Sequence, residues 1–215
     1  MSFTSFIHPH KGFHFILTTR ISAAPPTTRC ELIVAYELPP DVIADKYELA
    51  LRGGSYAAQI RGATDLELPS FVAANGSLLL LRVPEYASVT ALEIPLHVRY
   101  GVPSARVTHM NVPLPLPVPV WACPDHEHET FVTPHLPSEI VSVVGGSASA
   151  LFPIPQASGQ ADHSGIITAP LGNPVDLPQV QATTAIVLLS CFIHVLYATS
   201  STAVRLHRRR VRKTD

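Results

Sequence analysis

Between Asp176 and Arg205 the chain contains no Asp, Glu, Lys or Arg, and the stretch from Ala182 to Val204 reads ATTAIVLLSCFIHVLYATSSTAV. A bilayer's hydrocarbon core takes about 20 mainly apolar helical residues to cross, so this stretch predicts one transmembrane helix over residues 182–204. A buried helix in a soluble core competes with that reading, because the most apolar part, Ala185 to Ala198, is short and Ser200 and Ser201 thin its far end. The flank decides. Residues 205–215, RLHRRRVRKTD, carry six basic side chains, and basic clusters beside a span mark the cytosolic side. The expectation is a single-pass protein with a basic cytosolic tail at 205–215 and the bulk of the chain lumenal or outside.

Removing that tail uncovers a charge asymmetry. The whole chain has a formal net charge of −1, but residues 1–204 keep nine Lys and Arg against fifteen Asp and Glu, a balance that excludes a nucleic-acid-binding ectodomain. Proline is 21 of 215 residues, about twice the usual share, and it interrupts apolar stretches where it would break helices. An all-β domain with many turns follows. The expected organisation is a lumenal β-rich domain over residues 1–136, a Ser/Gly/Pro-rich stalk or loops over 137–181, the span and the tail. One signal opposes this orientation: MSFTSFIHPHKGFHFILTT has no apolar run of the length a secretory leader needs. The tail charge is taken as the guide.

Period-two alternation places Phe13, Phe15 and Leu17 on one side of a strand over 12–21, and Leu32, Val34 and Tyr36 on one side of another over 30–37 that stops at Pro39-Pro40. Residues 41–51 fit either a short helix or an extended connection. Thr64 to Val72 reads as a strand with Leu66, Leu68 and Val72 on one face, and Ser77 to Val83 as the next. The clearest strand is Leu92 to Tyr100, LEIPLHVRY, with Leu92, Ile94, Leu96, Val98 and Tyr100 on the apolar face. Pro95 on its polar face suggests an edge strand, with Arg106 to Val112 as partner. The VPLPLPVPV run from Val112 to Val120 should be extended, in the manner of polyproline II. Short strands between turn signals predict a β-sandwich-like domain.

The chemistry-bearing residues are few. His126, His128 and His135 invite a metal reading, but three or four converging ligands are needed and a solvated polar loop explains them as well. No GxSxG elbow, P-loop, GxGxxG or CxxC pair is present, so no catalytic residue, cofactor or metal is expected. Asn75-Gly76-Ser77 is the one N-glycosylation sequon, between two expected strands. With Cys191 inside the span, Cys30 and Cys123 are either a disulfide in an oxidising compartment or two free thiols. Arg212 and Lys213 resemble a dibasic retrieval signal and serve equally as a stop-transfer flank. His194 is an ionisable group inside the span, and such groups face a protein partner or polar cavity.

Several segments together resemble one family. Gly12-Phe13-His14, CELIVAYELPPDVIADKYEL (Cys30 to Leu49), DLELPSFV (Asp65 to Val72), IPLHVRYGVPS (Ile94 to Ser104) and VPVWACP (Val118 to Pro124), ahead of a C-terminal span, are similar to the PIG-X family. Its members are the non-catalytic subunit of glycosylphosphatidylinositol mannosyltransferase I. The resemblance implies a lumenal β-rich domain and one helix in the endoplasmic-reticulum membrane. It also implies a multispanning catalytic partner that moves the first mannose from dolichol-phosphate-mannose to the glycosylphosphatidylinositol precursor, stabilised by this subunit. Under that reading Ser190, Cys191, His194 and Ala198 are the expected contact face within the membrane. Two departures stand out: no recognisable leader, and a Ser/Gly/Pro-rich segment where the family has a longer cysteine-bearing one. Two other classes compete: a type I adhesion or receptor protein with a β-sandwich ectodomain, and a lumenal metal-dependent hydrolase using His126 and His128.

Overall fold

A computed structural model describes residues 1–52, 55–73, 75–83, 90–123, 140–141, 150–159 and 163–211. The chain divides into a β unit, Met1–Val102 with Val107–Leu171, and a helical unit, Pro103–Arg106 with Gly172–Asp215. The β unit contains β1 (Ser2–His8), β2 (His14–Ser22), β3 (Glu31–Leu38), β4 (Val42–Ile43), α1 (Lys46–Leu51), β5 (Ala57–Gly62), β6 (Ser77–Val83), β7 (Thr90–Val98), β8 (His109–Pro115), β9 (Val118–Cys123), β10 (Ala150–Pro153) and β11 (His163–Pro170). They form a four-stranded sheet in the order β1-β2-β7-β4, a five-stranded sheet β10-β9-β3-β6-β5, and a ribbon β11-β8.

The expected alternation builds the sandwich. β2 turns Phe15, Leu17 and Ile21 inward, and β7 turns Leu92, Ile94, Leu96 and Val98 inward. These meet Leu32, Val34 and Tyr36 of β3 and Leu79, Leu81 and Val83 of β6 in one buried cluster. Each such aliphatic side chain contributes about 1.5–3 kcal/mol when fully buried. β3 goes beyond simple alternation, because Ile33 and Ala35 on its other face join Leu78, Leu80, Val120, Ala122, Ile140 and Leu151 in a second cluster. A strand covered on both faces reads as a continuous apolar run, which is what LIVAY is.

Buried hydroxyls tie the layers together. Tyr36 Oη donates to Thr19 Oγ1 at 3.0 Å, Thr19 Oγ1 lies 3.3 Å from Ser5 Oγ, and Ser164 Oγ of β11 lies 3.2 Å from Ser5 Oγ and 3.3 Å from the Pro115 carbonyl. The chain of hydroxyls runs from the five-stranded sheet through the four-stranded sheet to the ribbon, so each buried oxygen has a partner. Gly165, at φ +153°, stands where a Cβ would press on Ile7 Cδ1 at 3.1 Å.

Five expectations are corrected. The 137–181 segment is not wholly stalk or loop: β10 and β11 lie in it, pair with β9 and β8, and bury Ala150, Leu151, Ile154, Ile167 and Ala169. The β domain therefore does not end at residue 136 but runs to Leu171. Thr64 to Val72 is not a strand; Leu66 and Val72 are exposed and the segment is a run of turns. Residues 106–112 do not pair with β7, since β8 pairs with β11. β7 is not a sheet edge, because β2 and β4 flank it, although among the described residues β4 meets it only at His97 and Val98 and no strand pairs with Pro95 on that side. The PLPLPVPV run forms β8 and β9 with a break at Leu116-Pro117.

The helical unit is a 3₁₀ turn, Pro174–Asp176, capped by the Asn173 side chain on Val175 N, leading into α2 (Leu177–Val211). Its most apolar window has mean hydropathy 1.8 with none of it buried. The expected span, 182–204, falls inside α2 and is about 34 Å long at 1.5 Å per residue, enough for a 30 Å hydrocarbon core. This is the transmembrane helix.

Candidate interaction site

Parts of four of the segments that carried the resemblance meet at one end of the β unit, whereas the fifth, in β9, pairs along β3 toward Cys30. Arg99, just past β7, is buried, and its backbone N–H donates to the Asp41 carbonyl at 2.8 Å. Its guanidinium Nη1 donates to the Leu68 carbonyl at 2.7 Å and to the Asp65 carbonyl. One arginine thus holds the turn after β3 and the DLELPSFV loop against β7. Burial pulls its pKa below the usual arginine range, and the nearby Asp65 charge partly restores it. This side chain also explains why Thr64 to Val72 is not a strand: Pro69 interrupts it and two of its carbonyls are taken by a guanidinium instead of a neighbouring strand.

Around Arg99 the same segments interlock. Asp45 caps α1 by accepting from Tyr47 N at 2.8 Å. His97 Nε2 lies 3.0 Å from Glu48 Oε2, docking α1 on β7, and the His14 ring meets the His97 ring edge-on at 4.4 Å. Arg52 pairs with Glu93 at 2.9 Å, and Tyr56 Oη donates to the Glu93 carbonyl at 3.2 Å. Ser70 N donates to the Tyr100 carbonyl, and the Phe13 and Tyr100 rings are 5.0 Å apart. A shallow cleft of about 220 Å³ lies here, lined by Phe13, His14, Asp45, Leu66, His97 and Tyr100 among others. A second, of about 570 Å³, lies between α1 and β5.

Asp45, Glu48 and His97 bring three ligand atoms within 4.8 Å of one another. Two of these groups, Glu48 and His97, already lie in hydrogen-bond contact and the third caps α1, so the trio braces a helix with the groups a metal would need. The metal reading at His126, His128 and His135 falls outside the described residues.

Asn75 is exposed at the turn before β6. Gly76 beside it sits against the Leu38 carbonyl, where any Cβ would clash with backbone, so the sequon's middle position is fixed as glycine. Cys30 and Cys123 are joined by a disulfide between the adjoining ends of β3 and β9, next to the paired Glu31 and Ala122. Arg212 and Lys213 fall outside the described residues.

In α2, Ser190, Cys191, His194 and Ala198 fall within an arc of about 100° at 3.6 residues per turn and are all exposed. The hydroxyl of Ser190 donates to the Ile186 carbonyl at 2.8 Å, and those of Thr183, Thr199 and Thr202 likewise return to carbonyls one turn back. These polar groups are therefore satisfied inside the helix, as a lipid surrounding demands. His194 has no hydrogen bond among the described residues.

What these features define is a membrane-anchored β-sandwich protein whose charged and polar groups mostly hold its own loops and helix in place. A more particular assignment comes from comparison with known families: the PIG-X / PBN1 family model matches residues 10–200, and the chain belongs to that family. Membership carries a general accessory role at glycosylphosphatidylinositol mannosyltransferase I, in a family of non-catalytic subunits. No curated protein matches the chain.

Proposed function

We propose that this chain is the stabilising subunit of glycosylphosphatidylinositol mannosyltransferase I, supporting transfer of the first mannose from dolichol-phosphate-mannose to the glycosylphosphatidylinositol precursor. The family match over residues 10–200 carries this reading. In it the protein is a single-pass glycoprotein of the endoplasmic-reticulum membrane, with the β unit lumenal, Asn75 glycosylated and the basic tail cytosolic. The partner is the multispanning catalytic subunit. The Ser190, Cys191, His194 and Ala198 face packs against its helices, where small and polar residues allow close approach, and His194 finds there the polar neighbour that an intramembrane imidazole requires. A subunit that binds only the folded partner raises the partner's folded population by mass action. No chemistry by this chain is needed.

The test replaces Ala182 to Val204 with an unrelated span of equal length and follows the catalytic subunit's abundance in cells. The expected outcome is loss of the catalytic subunit and of its mannosylated product, with the altered chain still present. Unchanged catalytic-subunit abundance would remove the span from the mechanism.

A further inference from the structure

The β unit leaves a set of apolar side chains open around its Arg99-braced end. Leu66, Phe71, Val72, Tyr100, Val102 and Val107 are between 46% and 71% exposed. The 65–72 loop is brought beside Tyr100 by contacts already described, since Arg99 fixes Asp65 and Leu68 beside β7 and Ser70 N bonds the Tyr100 carbonyl, and Val102 follows Tyr100 by two residues. The same end contains the points where the chain leaves the β unit. It departs after Val102, re-enters at Val107 and departs finally after Leu171. Leu171 N donates to the Thr108 carbonyl at 2.8 Å, and its side chain lies against Gly101 with that of Met110.

The final departure is short. Only Gly172 and Asn173 separate Leu171 from the helical residues that begin at Pro174. From there to Ala182, where the apolar run starts, a 3₁₀ turn and two turns of helix rise about 15 Å. Adding the extended link, Leu171 is tethered within about 25 Å of the hydrocarbon core at any angle the link adopts. Exposed aliphatic and aromatic side chains beside such a tether are within reach of the bilayer surface, and tyrosines such as Tyr100 favour the headgroup level.

We propose that Leu66, Phe71, Val72, Tyr100 and Val102 rest in the interface of the bilayer that α2 enters, so that the domain lies on the membrane instead of standing off it. The occupant is phospholipid at the boundary between headgroups and acyl chains. The loop also carries Asp65 and Glu67, so the contact is apolar and does not depend on anionic lipid. Interfacial binding of this kind scales with buried apolar area.

The test uses the full-length chain in phosphatidylcholine vesicles, with Cys191→Ala to remove the free thiol and a spin label at Phe71→Cys or Val102→Cys. Ala91→Cys, exposed at the opposite end of β7 and about 30 Å along the strand from Tyr100, is the water-facing control. The readout is collision with oxygen, concentrated in lipid, against collision with a water-soluble nickel chelate. The expected oxygen-to-nickel ratio at 71 and 102 is several-fold above that at 91 and unchanged by adding anionic lipid. A ratio at both positions equal to that at 91 overturns the proposal, as does shielding from both reagents, which would mean a protein surface covers the patch. Because no mannosyltransferase is present, neither result bears on the partner reading.

Discussion

β3 and the membrane-spanning part of α2 are built from the same kinds of side chain and live in opposite surroundings. Leu32, Val34 and Leu81 beside them are completely buried between sheets, whereas Leu188 and Leu189 of α2 are more than 60% exposed within the chain. Backbone bonding differs in the same way. β3 gives its amides and carbonyls to β6 and β9, while α2 satisfies its own and folds its hydroxyls back onto its carbonyls. Apolar content therefore says that a segment leaves water, and segment length with internal satisfaction says into what. Eight residues paired on both edges enter a protein core, and a helix without charge for more than twenty enters lipid.

The largest effect expected from breaking this contrast is the same truncation made in both places. Leu81→Ala should lower the unfolding free energy of the β unit by roughly 2–5 kcal/mol, while Leu188→Ala should leave it unchanged, as read by denaturant unfolding of the detergent-solubilised chain. Replacing both Cys30 and Cys123 with Ala releases the closed loop between β3 and β9 in the unfolded chain and should cost roughly 2–4 kcal/mol, measured against the same chain under reduction. A smaller, local effect is expected of Arg99→Met, which strips the Asp65 and Leu68 carbonyls of their donor at about 1–3 kcal/mol. Amide exchange should quicken in residues 65–73 first, and the exposed Arg52–Glu93 pair, removed by Arg52→Met, should cost under about 1 kcal/mol.

The mildest test is alkaline pH. Burial raises the Tyr36 hydroxyl far above the usual tyrosine range, against a smaller opposing effect of its bond to Thr19, and burial raises Tyr56 as well. A raised folded pKa means that the unfolded chain gives up the proton first. The stability contribution is whole below about pH 10 and falls above it, for Tyr36 by about 1.4 kcal/mol per pH unit. Tyr36→Phe should flatten that slope in urea midpoints, and an unchanged slope would show that Tyr36 does not titrate on unfolding.

Where one face alone is buried, the fold was readable. Leu92 to Val98 alternates cleanly because one side of β7 faces the sandwich core, and α2 was legible from its lack of charge. β5 was not, since AAQIRG is open to solvent on both faces and has no apolar period to detect. β10 and β11 were hidden among Ser, Gly, Ala and Pro, where four buried residues or fewer per strand are diluted by the residues around them. β1 carries a weak period, because its core residues Phe3 and Ile7 flank a buried polar Ser5. Leu66, Leu68 and Val72 copied a strand's period by chance. The role of Arg99 had no local signal at all: it depends on a loop some thirty residues earlier presenting two carbonyls to it. The family resemblance did register those segments, without showing that a buried guanidinium holds them together.

The most direct measurement is affinity purification of the tagged chain from its own cells in mild detergent, with endoglycosidase H digestion of the same sample. The account expects a multispanning mannosyltransferase to co-purify in near-equal amount, with a digestible glycan that disappears in Asn75→Gln. A chain carrying endoglycosidase-resistant glycans, recovered from the cell surface with no such partner, would contradict it.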